Sequence, residues 1–281
     1  MNDFFTSIVE TRLVRSCART VNRLARLNKP VVVHIGSHAL YAQTIDRLVA
    51  LYLLKFGANE SFEARLFQRQ IQSRMRVMDV GANLGFYTLL AAQGVGPQGH
   101  VYAFEPDLEN YRLLQLAILE NDLTNVEALQ KAVSNVTGAG TLYICPEHRG
   151  DHRVYDSSDG RKGAPIETVR LDDVVEKGEK IDVIKMDIQG AEGMALEGMS
   201  RIIADNPALI LMTEFWPWGL QQSGVAPGAF LDRIQGFGFR LGLIDDDASN
   251  VKEVTKQDLL TRCTGKLYGN LFLTRGDLPT G

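Results

Sequence analysis

Val77-Met78-Asp79-Val80-Gly81-Ala82-Asn83-Leu84-Gly85, followed by Phe86-Tyr87-Thr88-Leu89-Leu90, joins a short apolar strand to a helix through a glycine loop. Val77 and Val80 are β-branched and sit in an apolar run, the pattern of a buried strand. Gly81 lets the chain turn sharply or take φ > 0 at little steric cost. After Gly85, Phe86, Leu89, Leu90 and Val95 recur at roughly helical spacing. A strand entering a helix through such a loop presents backbone N–H groups and a positive dipole end at one point. That arrangement predicts a site for the anionic part of a nucleotide-like ligand, built from Asp79, Gly81, Ala82, Asn83, Gly85 and Phe86.

One strand later, His100-Val101-Tyr102-Ala103-Phe104 ends at Glu105, followed by Pro106. An acidic residue about 20 positions after the loop is placed to accept hydrogen bonds from two ribose hydroxyls. A dinucleotide loop requires G-x-G-x-x-G, whereas Asn83 and Phe86 hold the later glycine positions here. A pyrophosphate then loses its close approach to the backbone, which argues against a nicotinamide dinucleotide.

The 281 residues, 45% hydrophobic and 23% charged, suffice for one substantial core. A helical extension or cap over residues 1–70 and one catalytic domain over 71–281 fit this length. The net charge of −4 lacks the basic excess of a broad nucleic-acid footprint, so no nucleic-acid partner is expected. Cys17, Cys145 and Cys263 are widely spaced and odd in number, which reads as reduced thiols of a cytoplasmic protein without a zinc site. No apolar run reaches membrane-spanning length, and no compact signal-peptide core stands at the N-terminus.

Arg12, Arg15, Arg19, Arg23, Arg26 and Lys29 mark one face of a helix over residues 1–29, with Phe5, Val9, Leu13, Cys17, Val21 and Leu24 on another. A helix packed on its own protein with a solvated basic face is favoured over a lipid or partner contact, and homo-oligomerisation through this extension is possible. Residues 30–36 read as a strand or extended connector, and 40–72 as helical with a break near Gly57-Ala58-Asn59. His34 and His38 flank Gly36 and do not form a metal pair. From residue 76 onward, strands near 76–80, 100–105, 126–130, 181–187, 208–214, 239–244 and 268–274 alternate with helices near 85–95, 107–122, 191–205 and 228–237. The alternation predicts a mostly parallel α/β sheet covered on both faces, its last strand antiparallel at or near an edge. A hairpin around a long polar loop interrupts the rhythm at 136–170.

Ligands in such sheets lie beyond the C-terminal strand ends, which singles out Asp79, Glu105, Lys131 with Ala132, Asp187 and Glu214. Alternation buries Lys185, so it needs a carboxylate partner, expected from Asp187, Glu192 or Glu214. Asp187 at the strand tip is a candidate for both cofactor contact and catalysis. His152 in the polar loop is a second candidate base, with Glu192 or Glu214 orienting. His148, Asp151 and His152 match no strong metal template, and no metal is expected. Trp216, Pro217 and Trp218 form either an apolar wall for an acceptor or a staple for the next helix. Asp245, Asp246 and Asp247 read as a solvated turn.

Taken together, Asp79-Val80-Gly81-Ala82-Asn83-Leu84-Gly85, Ala103-Phe104-Glu105-Pro106, Lys185-Met186-Asp187-Ile188-Gln189-Gly190-Ala191-Glu192 and Asn270-Leu271 resemble the FkbM family of S-adenosylmethionine-dependent methyltransferases over about residues 60–275. The resemblance implies a class I, Rossmann-like fold: a seven-stranded sheet with an antiparallel hairpin at one edge. It also implies S-adenosylmethionine as cofactor and O-methylation of a hydroxyl on a sugar, polyketide or similar small molecule. Gln189 stands where the family usually has Glu, so any carboxylate role there is lost. The 1–60 extension and Gly150-Asp151-His152-Arg153 go beyond the family pattern and imply a distinct acceptor. The competing readings are a nicotinamide oxidoreductase, a nucleic-acid base methyltransferase and a non-catalytic nucleoside-binding module. The loop glycines oppose the first, and Asp187-Ile188-Gln189-Gly190 lacks the Pro-Pro-aromatic motif of the second.

Overall fold

A computed structural model describes residues 30–35, 37–42, 61–146 and 148–279. The expected helix over residues 1–29 lies outside these, as do Cys17 and residues 43–60. The architecture follows from alternation along the strands. In β3 (Arg76–Val80) Val77 faces one apolar cluster while Met78 and Val80 face the other. A strand buried on both faces needs helices on both sides of its sheet.

The strands of that sheet are β3, β4 (His100–Phe104), β5 (Val126–Leu129), β9 (Val183–Met186), β10 (Ile210–Phe215), β11 (Arg240–Asp245), β12 (Asn250–Glu253) and β13 (Gly269–Thr274). Their spatial order is β12-β11-β13-β10-β9-β3-β4-β5. From β10 to β5 all neighbours are parallel. The chain moves outward from β3 to β4 and β5, then returns to lay β9 on the other side of β3. The crevice of this reversal is where a ligand binds in an open parallel sheet. One expectation changes. The sheet has eight strands among the described residues, β12 being added at the edge. β13 is antiparallel as predicted and lies near that edge, between β10 and β11. An interior place suits Leu271, Phe272 and Leu273, which are all buried.

Helix α1 (Phe62–Gln70) is capped by the Ser61 hydroxyl and buries Phe62, Leu66 and Phe67 in the cluster that holds Val77 and Leu89. Ahead of it, β1 (Val31–Ile35) and β2 (His38–Ala42) form an antiparallel hairpin. Residues 40–42, expected to be helical, are therefore strand: the Val/Ile alternation of β1 needs a pairing edge, and β2 supplies it. Asn121 pins the hairpin with both halves of its amide, accepting from Ala39 N–H and donating to Ala39 C=O, each at 2.8 Å. It follows α3 (Leu108–Glu120) as its C-cap.

The interruption at 136–170 is a separate three-stranded sheet, β6 (Ala132–Val133), β8 (Lys162–Val169) and β7 (Gly138–Ile144). β7 and β8 pair antiparallel as predicted, and the polar residues 145–146 and 148–161 between them form a strap. No helix among the described residues is long and apolar enough to cross a membrane.

Candidate active site

The loop after β3 is shaped by its glycines. Gly81 has φ +85°, and a Cβ there would strike the Asp187 carbonyl, so β3 and β9 can end this close only with glycine. Asn83 also lies in the left-handed region, at φ +50°. The loop N–H groups point to β4: Gly81 and Ala82 donate to Phe104 C=O at 3.0 and 2.9 Å, and Asn83 donates to Glu105 Oε2 at 2.8 Å. This corrects the expectation that the loop backbone itself faces an anion. The N–H groups of Phe86, Tyr87 and Thr88 remain, because the first bond into helix α2 (Phe86–Val95) is from Leu89 to Gly85. Asp79 accepts from the Thr88 hydroxyl at 2.6 Å, and burial raises its carboxyl to about 6.

Glu105 is held from both sides, since Oε1 accepts from Asp107 N–H at 2.9 Å. Burial pushes its carboxyl up to about 7. A carboxylate offers about four acceptor sites, so Glu105 retains capacity toward a ribose hydroxyl beside its bonds to Asn83 and Asp107. A cavity of about 250 Å³ opens here, lined by Gly81, Ala82, Asn83, Phe86, Glu105, Pro106, Ala132, His152, Asp187 and others. Asp79 lies on its floor, and Val133, Leu142 and Val154 give it an apolar wall suited to a flat base. Gly85 does not line it; that residue packs on Leu114 beneath the loop. The buried carboxylate, the apolar wall and the helix N-terminus fit the sugar, base and α-amino acid of a sulfonium nucleoside.

The second cluster centres on β9. Lys185 is buried and pairs with Glu63 of α1 at 3.2 Å, not with Asp187, Glu192 or Glu214 as expected. Its ammonium lies 5.0 Å from the Tyr87 ring. Glu63 is fixed on its other oxygen by Asn270 Nδ2 at 2.7 Å and through its N–H by Asp246 at 3.0 Å. Asp246 is thus a tether for α1 rather than part of a merely solvated turn. Asp187 is exposed at the cavity edge and accepts from Gln189 Nε2 at 2.9 Å. Glu192 is fully buried; its Oε1 accepts from Ile188 N–H at 3.1 Å and Gly190 N–H at 3.3 Å, so it braces the turn bearing Asp187. Burial and the neighbouring Asp187 and Glu192 carboxylates hold Glu214 well above the usual carboxylate range. Neither Glu192 nor Glu214 lines the cavity, which removes them from direct contact with a ligand there.

The strap closes one side. Arg153 is buried with its guanidinium 5.2 Å from the Trp216 ring and 5.1 Å from Trp218, and it also bonds Asp151 Oδ1 at 2.9 Å and Ser157 at 2.9 Å. The tryptophans therefore hold the strap and line no part of the cavity, and Trp216 also packs on Gly219 of the helix that follows it, as the staple reading expects. Tyr155 donates to Gln189 C=O at 2.6 Å. Arg149 pairs with Asp107 at 2.9 Å. His152 does line the cavity, but its Nδ1 accepts from Cys145 N–H at 3.1 Å and burial lowers its pKa. The neutral ring then carries its proton on Nε2, which lies 3.6 Å from Asp107, and no lone pair is left to act as a base. This corrects the catalytic expectation for His152. His148, Asp151 and His152 form no metal-binding group, nor does any other set among the described residues. Cys145 and Cys263 are buried and form no disulfide.

Glu63, Asp107, Arg149 and Tyr155 escaped the sequence reading. Asp107 had a local signal as an N-cap, realised in its bonds to Glu109 and Asn110 N–H. The other three act across distances in sequence that leave no local trace.

Residues 79–241 match the methyltransferase FkbM domain. The methyltransferase sdnD of Sordaria araneosa is 26% identical over 209 residues, covering 63% of this chain and 78% of that protein. The FkbM methyltransferase structure from Methylobacillus flagellatus superposes with a TM-score of 0.42 at 16% identity, over 82% of this chain and 54% of that one. An rRNA methylase structure from Streptococcus thermophilus gives 0.45 at 13% identity, over 76% and 95%. The sheet order, the glycine loop, the carboxylate after β4 and the family match over more than half the chain agree. The chain belongs to the FkbM family of S-adenosylmethionine-dependent methyltransferases, with the class I fold.

Proposed function

We propose that the enzyme methylates a hydroxyl oxygen of a small metabolite in the cytoplasm, with Asp187 as the base. Bound S-adenosylmethionine supplies an electrophilic methyl group on a sulfonium. The observation that carries the reading is the position of Asp187: exposed, at the tip of β9, on the rim of the cavity that Glu105 closes from β4. Glu105 accepts from the ribose hydroxyls. Asp79, Gly81, Ala82, Asn83, Phe86, Pro106 and Ala132 complete the cradle. Gln189 orients Asp187 through its 2.9 Å bond, and Glu192 holds the turn. Asp187 takes the acceptor's proton as its oxygen attacks. Positioning of this kind is worth ~7–11 kcal/mol and a base about 10²–10⁴-fold.

Residues 1–70 act in this reading as an extension or cap on the 71–281 domain, and Glu63 supports that reading by pairing with Lys185 of β9. The net charge of −4 supports a chain without nucleic-acid partners.

Asp187→Asn should lower kcat by about 10²-fold or more while S-adenosylhomocysteine affinity, read by calorimetry, changes little. His152→Ala should cost far less in kcat. Wild-type turnover in the Asp187 variant contradicts the assignment.

A further inference from the structure

The strap leaves the small sheet at the end of β7 and lines the cavity with Arg149, Gly150, His152 and Val154. Its far side rests on two other elements. Gly150 lies against the glycine loop, where an added Cβ would come within 3.3 Å of Asn83 Nδ2. Arg149 donates to Asp107 Oδ1 at 2.9 Å, and its carbonyl accepts from Asn110 Nδ2 at 3.4 Å. The strap thus bridges the small sheet to the glycine loop and the start of α3, across the apolar wall and Glu105. A contact this close leaves no gap for a base, so it shuts that side of the cavity.

Asp107 is where the strap meets the ligand site. Its backbone N–H donates to Glu105 Oε1 at 2.9 Å, while its side chain holds Arg149. Oδ1 also caps α3 through Glu109 and Asn110 N–H, so three donors share one oxygen. Oδ2 faces His152 Nε2 at 3.6 Å, which is beyond hydrogen-bond length and leaves that buried nitrogen without a partner. The latch has one bond made and one waiting, and a shift of about 0.7 Å would complete it. Beyond residue 152 the strap is fixed, by Arg153 between the two tryptophans and by Tyr155 on Gln189. We propose that residues 148–152 are a gate over the nucleoside, latched on Asp107, and that the latch sets how fast the cofactor enters and its demethylated product leaves. This rests on the cavity being the seat of the cofactor. Opening breaks the Arg149–Asp107 pair, and closing over a bound ribose draws His152 onto Asp107 beside Glu105. Gates of this kind limit product release in many enzymes.

Surface plasmon resonance of S-adenosylhomocysteine over the immobilised full chain reads both rates. That ligand carries no net charge, so loss of a cation does not by itself alter its encounter rate. Arg149→Ala should quicken association and dissociation together, each about three- to fivefold, the scale of a partly exposed ion pair. The dissociation constant should change less than either rate, because unlatching speeds passage in both directions. Gly150→Val crowds Asn83 while leaving the ion pair in place, and should quicken both rates as well. A side chain that merely touches the ligand would alter dissociation alone. An association rate that either folded variant leaves at the wild-type value overturns the gate, whatever dissociation does. If one variant fails to fold, the other decides. Absence of S-adenosylhomocysteine binding to the wild type is a different failure, one that strikes the cavity as the cofactor's seat.

Discussion

Glu105 shows how one carboxyl can be both restrained and available. Two backbone N–H groups, from Asn83 and Asp107, set its plane before any ligand arrives. Burial still raises its pKa to about 7, with Asp79 at about 6 and Glu192 at about 7. In each case the folded value lies above the ordinary one, so the native state holds more protons than the unfolded chain between about pH 4 and 7. The stability from these groups is complete below the unfolded value and is lost as pH rises through the folded one. The stability of the ligand-free protein, and with it its melting temperature, should fall as pH is raised from about 5 to 7.5, the stability by on the order of 1 kcal/mol per pH unit for each titrating group. A flat or rising profile in thermal denaturation would contradict these environments. Glu105 was legible in the sequence because its position follows from a strand and a spacing. The lost base role of His152 was not, because Cys145 N–H occupies its ring nitrogen only once the strap folds back.

Among the elements, α1 and the strap are each tied to the sheet by one cation. Lys185 links β9 to α1 through Glu63, with both partners buried. Lys185→Met alone strands the Glu63 charge and should destabilise the protein by about 3–5 kcal/mol, whereas Lys185→Met with Glu63→Leu should recover much of that. Additive losses in urea denaturation would mean that the pair is not coupled. The strap depends on Arg153 between Trp216 and Trp218. Arg153→Ala removes stacking worth about 2 kcal/mol when desolvated and leaves Asp151 with only Arg161. Limited proteolysis should then cut within 148–161 well before the sheet; unchanged resistance would show that the clamp is dispensable. Alternation in the sequence predicted that Lys185 needs a partner, yet named the wrong carboxylate. The right one comes from a helix more than a hundred residues earlier, and no periodicity within β9 encodes it. The strand β2 was missed for a related reason: His38–Ala42 takes its conformation from pairing with β1, not from its own pattern.

At the scale of the whole molecule, the alternation of strands and helices from residue 76 onward foretold the layered sheet, and all seven predicted strands appear in it. The sequence put β13 at or near an edge but did not say which strands flank it, because an antiparallel strand buried inside a sheet and one at its edge are both short apolar runs. What organises the molecule is the reversal of strand order at β3, which brings Gly81, Glu105 and Asp187 from three strand ends to one crevice. The central claim is that this crevice holds the nucleoside of the cofactor through Glu105. Calorimetric titration of S-adenosylhomocysteine into the wild type and Glu105→Gln tests it most directly. The account predicts saturable binding that tightens as pH rises through about 7, and a loss of roughly 10–100-fold in the variant, the scale of a charge-assisted hydrogen bond. Equal affinity in the two proteins, or no heat from the wild type at millimolar ligand, would contradict it.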